Sequence, residues 1–133
     1  MDPDPRVILT LRASISPSED PAKVARALER IAGEGRYEVR LGQEAKLITD
    51  DPKVLTRVRD QFRDRRVRSA ARRQMLLNME GDSTSIMLNR QAAAAGAIAL
   101  CGTPEESPLG PVYLRIQGDE IGAAIDRLTS YEG

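Results

Sequence analysis

The stretch Tyr37-Glu38-Val39-Arg40-Leu41-Gly42-Gln43-Glu44-Ala45-Lys46-Leu47-Ile48-Thr49 decides the class of fold. Tyr37, Val39 and Leu41 alternate with Glu38 and Arg40 at the two-residue period of a half-buried strand. Gly42 and Gln43 supply a turn, and Ala45 to Thr49 return as the hairpin partner. A connection this short joins only antiparallel neighbours, because a parallel return needs a crossover of a dozen or more residues.

Working outward, the same period recurs upstream. Between Arg6 and Ser14, Val7, Leu9, Leu11 and Ala13 alternate with Arg6, Thr10, Arg12 and Ser14, Ile8 being the exception. Downstream, Thr84, Ile86 and Leu88 form one apolar row and Val112, Leu114 and Ile116 another, with a short strand expected at Ala97 to Cys101. Helical spacing separates these strands. Asp20-Pro21 and Asp51-Pro52 each pair a capping carboxylate with a proline suited to a first helical turn. Val24, Ala27, Leu28 and Ile31 then make one stripe, Val54, Leu55, Val58 and Phe62 another. The second stripe fails at Arg65 and Arg66, so a break is expected there, with a new helix from about Val67 that turns Ala70, Ala71, Met75 and Leu76 or Leu77 inward. A last helix opens at Asp119 and carries Ile121, Ala124, Ile125 and Leu128. The expectation is an α+β fold, an antiparallel or mixed sheet with helices packed on it, formed by residues 1–133 as one domain with its core between about residues 6 and 130.

Charge is unevenly distributed. From Lys53 to Arg73 there are nine basic residues and two acidic ones, leaving 11 basic and 18 acidic residues elsewhere, so a formal net charge of +0 divides into +7 and −7. Such asymmetry creates a local positive field that whole-chain charge conceals. Asp60 near Arg57 and Arg63, and Asp64 near Arg68, absorb part of it in weak helical pairs. Arginine outnumbers lysine 17 to 3, which favours bidentate contacts to phosphate or carboxylate. With three tyrosines, one phenylalanine and no tryptophan, a stacking platform for unpaired bases is poorly supplied.

Other chemistry is narrowed by composition. The chain has no histidine, which removes His-based catalysis and the usual zinc sites, and one cysteine, Cys101, which removes an internal disulfide and reads as a buried core residue. No phosphate loop or dinucleotide fingerprint is present, so the chain is expected to be non-catalytic, with no cofactor and no metal. The absence of a long apolar run and of a leader-like start makes a cytoplasmic protein without membrane contact the expectation. Asn89-Arg90-Gln91, at a strand end, gathers two amides and a guanidinium that can donate to phosphate, sugar or base edges, although a polar turn uses the same residues.

Four stretches occur in an order that resembles a known family: Ser18-Glu19-Asp20-Pro21, Ala71-Arg72, Leu88-Asn89-Arg90-Gln91-Ala92-Ala93 and Ser107-Pro108-Leu109-Gly110-Pro111. They are similar to the archaeal uncharacterised protein family 0201, within the broader domain family of unknown function 54, which is described as RNA binding. The resemblance implies a two-layer fold like that of the ribosomal protein that binds 5S rRNA, a role in RNA binding, and compatibility with a homodimer. Arg90 stands where the family has lysine, and alanines and Leu100 stand where aromatics are common. The functional expectation is an arginine-rich, non-catalytic module that contacts structured RNA at a helix junction through Arg65, Arg66, Arg68, Arg72, Arg73 and Arg90, with Asn89 and Gln91 adding polar contacts. The alternatives are a protein-interaction or self-association module that sets the basic stretch against acidic surface, and, third, an enzyme acting on a phosphorylated small molecule.

Overall fold

The computed structural model describes residues 6–64 and 67–129. Its strands are β1 (Ile8–Ser14), β2 (Glu38–Leu41), β3 (Glu44–Thr49), β4 (Ser83–Leu88) and β5 (Val112–Gln117), and its helices α1 (Pro21–Ala32), α2 (Pro52–Asp64), α3 (Arg68–Leu77), α4 (Arg90–Ala94) and α5 (Ile121–Leu128). The strands form one sheet in the order β2-β3-β1-β5-β4, and every pairing is antiparallel. The hairpin that set the expectation is β2-β3, closed by the Gly42 N–H on the Glu44 carbonyl.

One face of the sheet carries the core. Leu9, Leu11, Ala45, Leu47, Ile86, Leu88, Leu114 and Ile116 point to it and are buried together with Leu28, Ile31, Val58, Phe62, Met75 and Ile125 from the helices. Most residues expected inward from periodicity are buried, while Val39 and Leu55 are only partly buried against the cluster and Leu41 is exposed, β2 being the outermost strand. The α3 expectation is corrected: only Ala71 and Met75 turn inward, whereas Ala70, Leu76 and Leu77 are exposed, because the helix meets the core along one narrow stripe. Each buried aliphatic side chain contributes about 1.5–3 kcal/mol of hydrophobic stabilisation, so a continuous apolar row on all four longer strands is enough to fix which face is inward.

The ends of the helices follow local chemistry. Asp20 caps α1 by accepting from the Ala22 N–H at 3.0 Å, with Pro21 in the first turn. Asp51 begins α2 likewise, accepting from Lys53 N–H at 3.0 Å and also from Arg36 N–H at 2.7 Å, which ties the approach to β2 to the start of α2. α2 ends at Asp64 and α3 starts at Arg68, so the expected break is present, while Arg65 and Arg66 themselves lie outside the described residues.

One element was not foreseen and one expectation changes. After β4, Asn89 accepts from Ala92 N–H at 3.0 Å and starts the short α4. The strand expected at Ala97 to Cys101 reduces to a single bridge between Leu88 and Leu100 with flanking hydrogen bonds, because the segment meets only the end of β4.

Candidate nucleic-acid interface

Two arginines of the basic stretch, Arg57 and Arg72, tie one element to another. Arg57 reaches back across α1, donating from Nε to the Ile31 carbonyl at 3.1 Å and from a terminal nitrogen to the Arg30 carbonyl at 2.9 Å. It thereby satisfies carbonyls that the end of α1 leaves without helical donors. Its side chain lies where a Cβ on Gly33 would sit, and Gly33 adopts φ 71°, so both space and backbone require glycine there. Arg72 pairs with Asp126 at 2.6 Å and donates to the Thr129 hydroxyl at 3.3 Å, joining α3 to α5. Arg59 is only 11% exposed in its side chain, whereas Arg68 is half-buried and Arg73 is exposed.

Arg90, expected from sequence at the phosphate surface, is instead buried. Its guanidinium donates to the carbonyls of Leu109, at 2.6 Å, and Ser14, and lies 3.5 Å from the Glu19 carboxylate. Its backbone N–H donates to the Ser107 hydroxyl at 3.0 Å. Three of the four stretches behind the family resemblance therefore meet at one guanidinium, and the Ser107–Pro111 loop is held by it. Asn89 is likewise committed, as the α4 cap; Gln91 is exposed on that helix.

The sheet face away from the core offers a different constellation. Strand register places Arg40, Lys46, Arg12, Tyr113 and Met87 side by side across β2, β3, β1, β5 and β4. The next row places Ile48, Thr10, Arg115 and Ser85 together. Adjacent strands stand about 4.8 Å apart, so the first row is a strip roughly 19 Å long with three cations at one end and an aromatic ring near the other. The Arg12 guanidinium lies over the Tyr113 ring, 5.1 Å from its centroid. Glu44 sits 3.7 Å from both Arg12 and Lys46, and Glu38 3.0 Å from Arg40. These are exposed pairs, of the kind worth about 0–1 kcal/mol and readily exchanged for another anion. With Arg115, the face holds four basic and two acidic side chains, a surplus of two positive charges.

The outward positions of Arg12, Arg40, Lys46 and Arg115 follow from alternation alone. Their alignment does not, because it depends on which strands are neighbours.

Two ionisable groups are perturbed for structural reasons. Asp51 is held below the usual carboxylate range by the backbone N–H groups of Arg36 and Lys53. Burial pushes the Cys101 thiol up, with Glu106 adding to the effect, and a thiol so placed is a poor nucleophile. No cluster of three or more Cys, Asp or Glu suited to a metal occurs among the described residues. No helix among them is long and apolar enough to cross a membrane.

A five-stranded antiparallel sheet layered with helices on one side and bearing charged residues and one tyrosine on the other defines a two-layer α+β protein. No family model matches the sequence. The chain is 32% identical over 124 residues to a UPF0201 protein of Sulfurisphaera tokodaii, an alignment covering 91% of this chain and 86% of that one. It is 30% identical over 130 residues to a UPF0201 protein of Metallosphaera sedula, covering 92% and 86%. Among solved structures, the UPF0201 protein of Methanococcus jannaschii superposes with a TM-score of 0.71 at 20% identity, covering 95% of each chain. A DUF54 protein of Methanothermobacter thermautotrophicus superposes with a TM-score of 0.59 at 15% identity, covering 91% of this chain and 93% of that one. The chain belongs to the UPF0201 family.

Proposed function

We propose that this protein is a non-catalytic RNA-binding module and that its open sheet face is the contact surface. The observation that carries the reading is the aligned strip of Arg40, Lys46, Arg12 and Tyr113, with Arg115 in the neighbouring row. Guanidinium and ammonium groups at fixed intervals match a phosphate backbone, and Thr10, Ser85 and Gln117 add hydrogen-bonding groups within reach of 2′-hydroxyls. A single tyrosine offers one stacking position, which favours structured RNA with an occasional unpaired base over long unpaired strands. The description of the resembled family as RNA binding, and the 5S-rRNA-binding-protein-like fold that the resemblance implies, agree with this reading. Arg57 and Arg90 are held by internal carbonyls and serve the fold, whereas Arg72, whose pair with Asp126 is exposed, and Arg73 leave α3 as a second basic surface on the helical layer.

The test is filter binding of a structured RNA across a salt series. Wild-type affinity should fall with salt at a log–log slope of roughly −0.7 to −0.9 per phosphate contacted. Replacing Arg12 and Arg115 together by glutamine should flatten the slope by about one to two, while Tyr113→Leu should weaken binding without changing the slope. Salt-insensitive binding by the wild type, or a slope unchanged in the Arg12 and Arg115 double variant, would refute the assignment.

Self-association is the second reading. Leu76, Leu77 and Met79, at the end of α3 and just beyond it, are 47, 77 and 41% exposed, and a second copy would remove such side chains from water. Sedimentation of Leu77→Glu beside the wild type decides it, with a dimer in the wild type alone as the supporting result.

A further inference from the structure

A cavity of about 290 Å³ opens between the start of β1, the β3–α2 junction and α5. It belongs to the helical side of the molecule, since Val7, which lines it, is part of the core cluster. Four arginines, Arg6, Arg36, Arg59 and Arg127, line it with Asp50 and Asp51, and Asp60 stands beside Arg59, so cations outnumber carboxylates around it. Asp51 does not move to neutralise them, being fixed by the N–H groups of Arg36 and Lys53 at 2.7 and 3.0 Å. Val7, Leu55 and Leu128 give the same cavity an apolar wall.

Arg59 supplies the second, independent observation. Its side chain is 11% exposed and its Nε is buried with no hydrogen-bond partner among the described residues. Among the described residues its ion pair is with Asp60, at 3.6 Å, through a terminal nitrogen. A buried donor without an acceptor destabilises a fold unless a bound group answers it. The volume lies at the lower end of the range for small-molecule sites, about 300–1,000 Å³, and admits a small group or the terminal group of a longer molecule.

We propose that this cavity binds a small phosphate monoester with an apolar body. A monoester carries about −1.5 to −2 charges near neutral pH, so it draws on several of the lining guanidiniums at once where a carboxylate carries a single charge. Its three terminal oxygens suit bidentate guanidinium contacts, Arg59 offering the buried one. The ester's organic part then lies against Leu55 and Leu128. This site is separate from the open sheet face, so it stands or falls independently of RNA binding.

The test is titration calorimetry of the full chain with phenyl phosphate, inorganic phosphate and benzoate. Phenyl phosphate should saturate one site and bind at least tenfold more tightly than either of the others. Thr56→Glu, an exposed position of α2 on the cavity wall, should lower that affinity at least tenfold with the thermal midpoint unchanged. Arg59→Lys, which keeps the charge but loses the fork, should lower it by a smaller factor; if that variant does not fold, Thr56→Glu still decides. Absence of saturable phenyl phosphate binding, equal affinity for inorganic phosphate or benzoate, or unchanged affinity in Thr56→Glu would each overturn the proposal. Competition by a 5′-phosphorylated oligonucleotide but not by its 5′-hydroxyl counterpart would assign the monoester to a nucleic-acid end, and no competition by either would assign it to a free small molecule; the site holds in both cases.

Discussion

Arg90 shows how little a side chain's partners can be read from its sequence neighbours. It follows a strand end in a polar triplet, which suggests a solvent-facing contact, yet its partners are Ser14, Glu19, Leu109 and Gly110, each distant in the chain. Only the sheet order, which sets β1 beside β5 and β5 beside β4, brings them together. Arg90→Met should destabilise by roughly 3–5 kcal/mol, because it leaves Glu19 and several carbonyls without their buried cation. Arg90→Lys should recover only part of this, since one ammonium cannot serve divergent acceptors as a guanidinium does. Urea unfolding midpoints of the two variants check both statements. Asp51 gives a prediction in pH. Its folded-state pKa is depressed, so the stability it contributes is complete above the ordinary aspartate value, about 3.9, and is lost as pH falls through the folded value. Unfolding midpoints of Asp51→Asn and wild type should therefore differ at pH 6 and converge in acid below the ordinary aspartate pKa; a gap that persists unchanged in acid would show that the charge is not the cause.

At the scale of elements, periodicity was legible wherever a segment was long enough to repeat. The apolar stripe of α1 and the alternation in β1, β3 and β5 each run over several periods, and each lands on the core. α4 has five residues, little more than one turn, so no stripe exists to be read and its alanines suggest nothing beyond close packing. The α2–α3 break was legible for a different reason. An apolar stripe cannot continue through consecutive arginines without burying one of them, and burying an unpaired charge costs more than ending a helix. Leu28, at the centre of the α1 stripe, is fully buried against β3 and the other helices, so Leu28→Ala should destabilise by roughly 2–5 kcal/mol. Thermal or urea denaturation measures it, and a midpoint equal to wild type would mean that this face does not carry the packing described.

For the molecule as a whole, the +7 stretch of the chain is not the sole concentration of cations among the described residues. Within that stretch Arg72 reaches Asp126 and Arg57 the carbonyls ending α1, while Arg12, Arg40, Lys46 and Arg115 share a continuous surface drawn from β1, β2, β3 and β5. Sequence conveyed that an arginine-rich protein should meet an anion but gave no sight of this second surface, because linear density of charge carries no information about which strands are neighbours or which arginines already have partners. The outward parity of each strand was legible; the lateral alignment that makes a strip of them was not.

The margins of the sheet have a consequence for assembly. Beyond β4, the Gln74 side chain accepts from the Met87 N–H, the Asn78 side chain donates to the Ser85 carbonyl, and the Cys101 N–H donates to the Met87 carbonyl. The opposite border, β2, is four residues long and interrupted by Glu38 and Arg40. Neither border offers a long run of vacant backbone groups to a foreign strand. A sheet finished in this way resists lengthening sideways into a ribbon or fibre, so a partner is met by side chains rather than by vacant backbone groups.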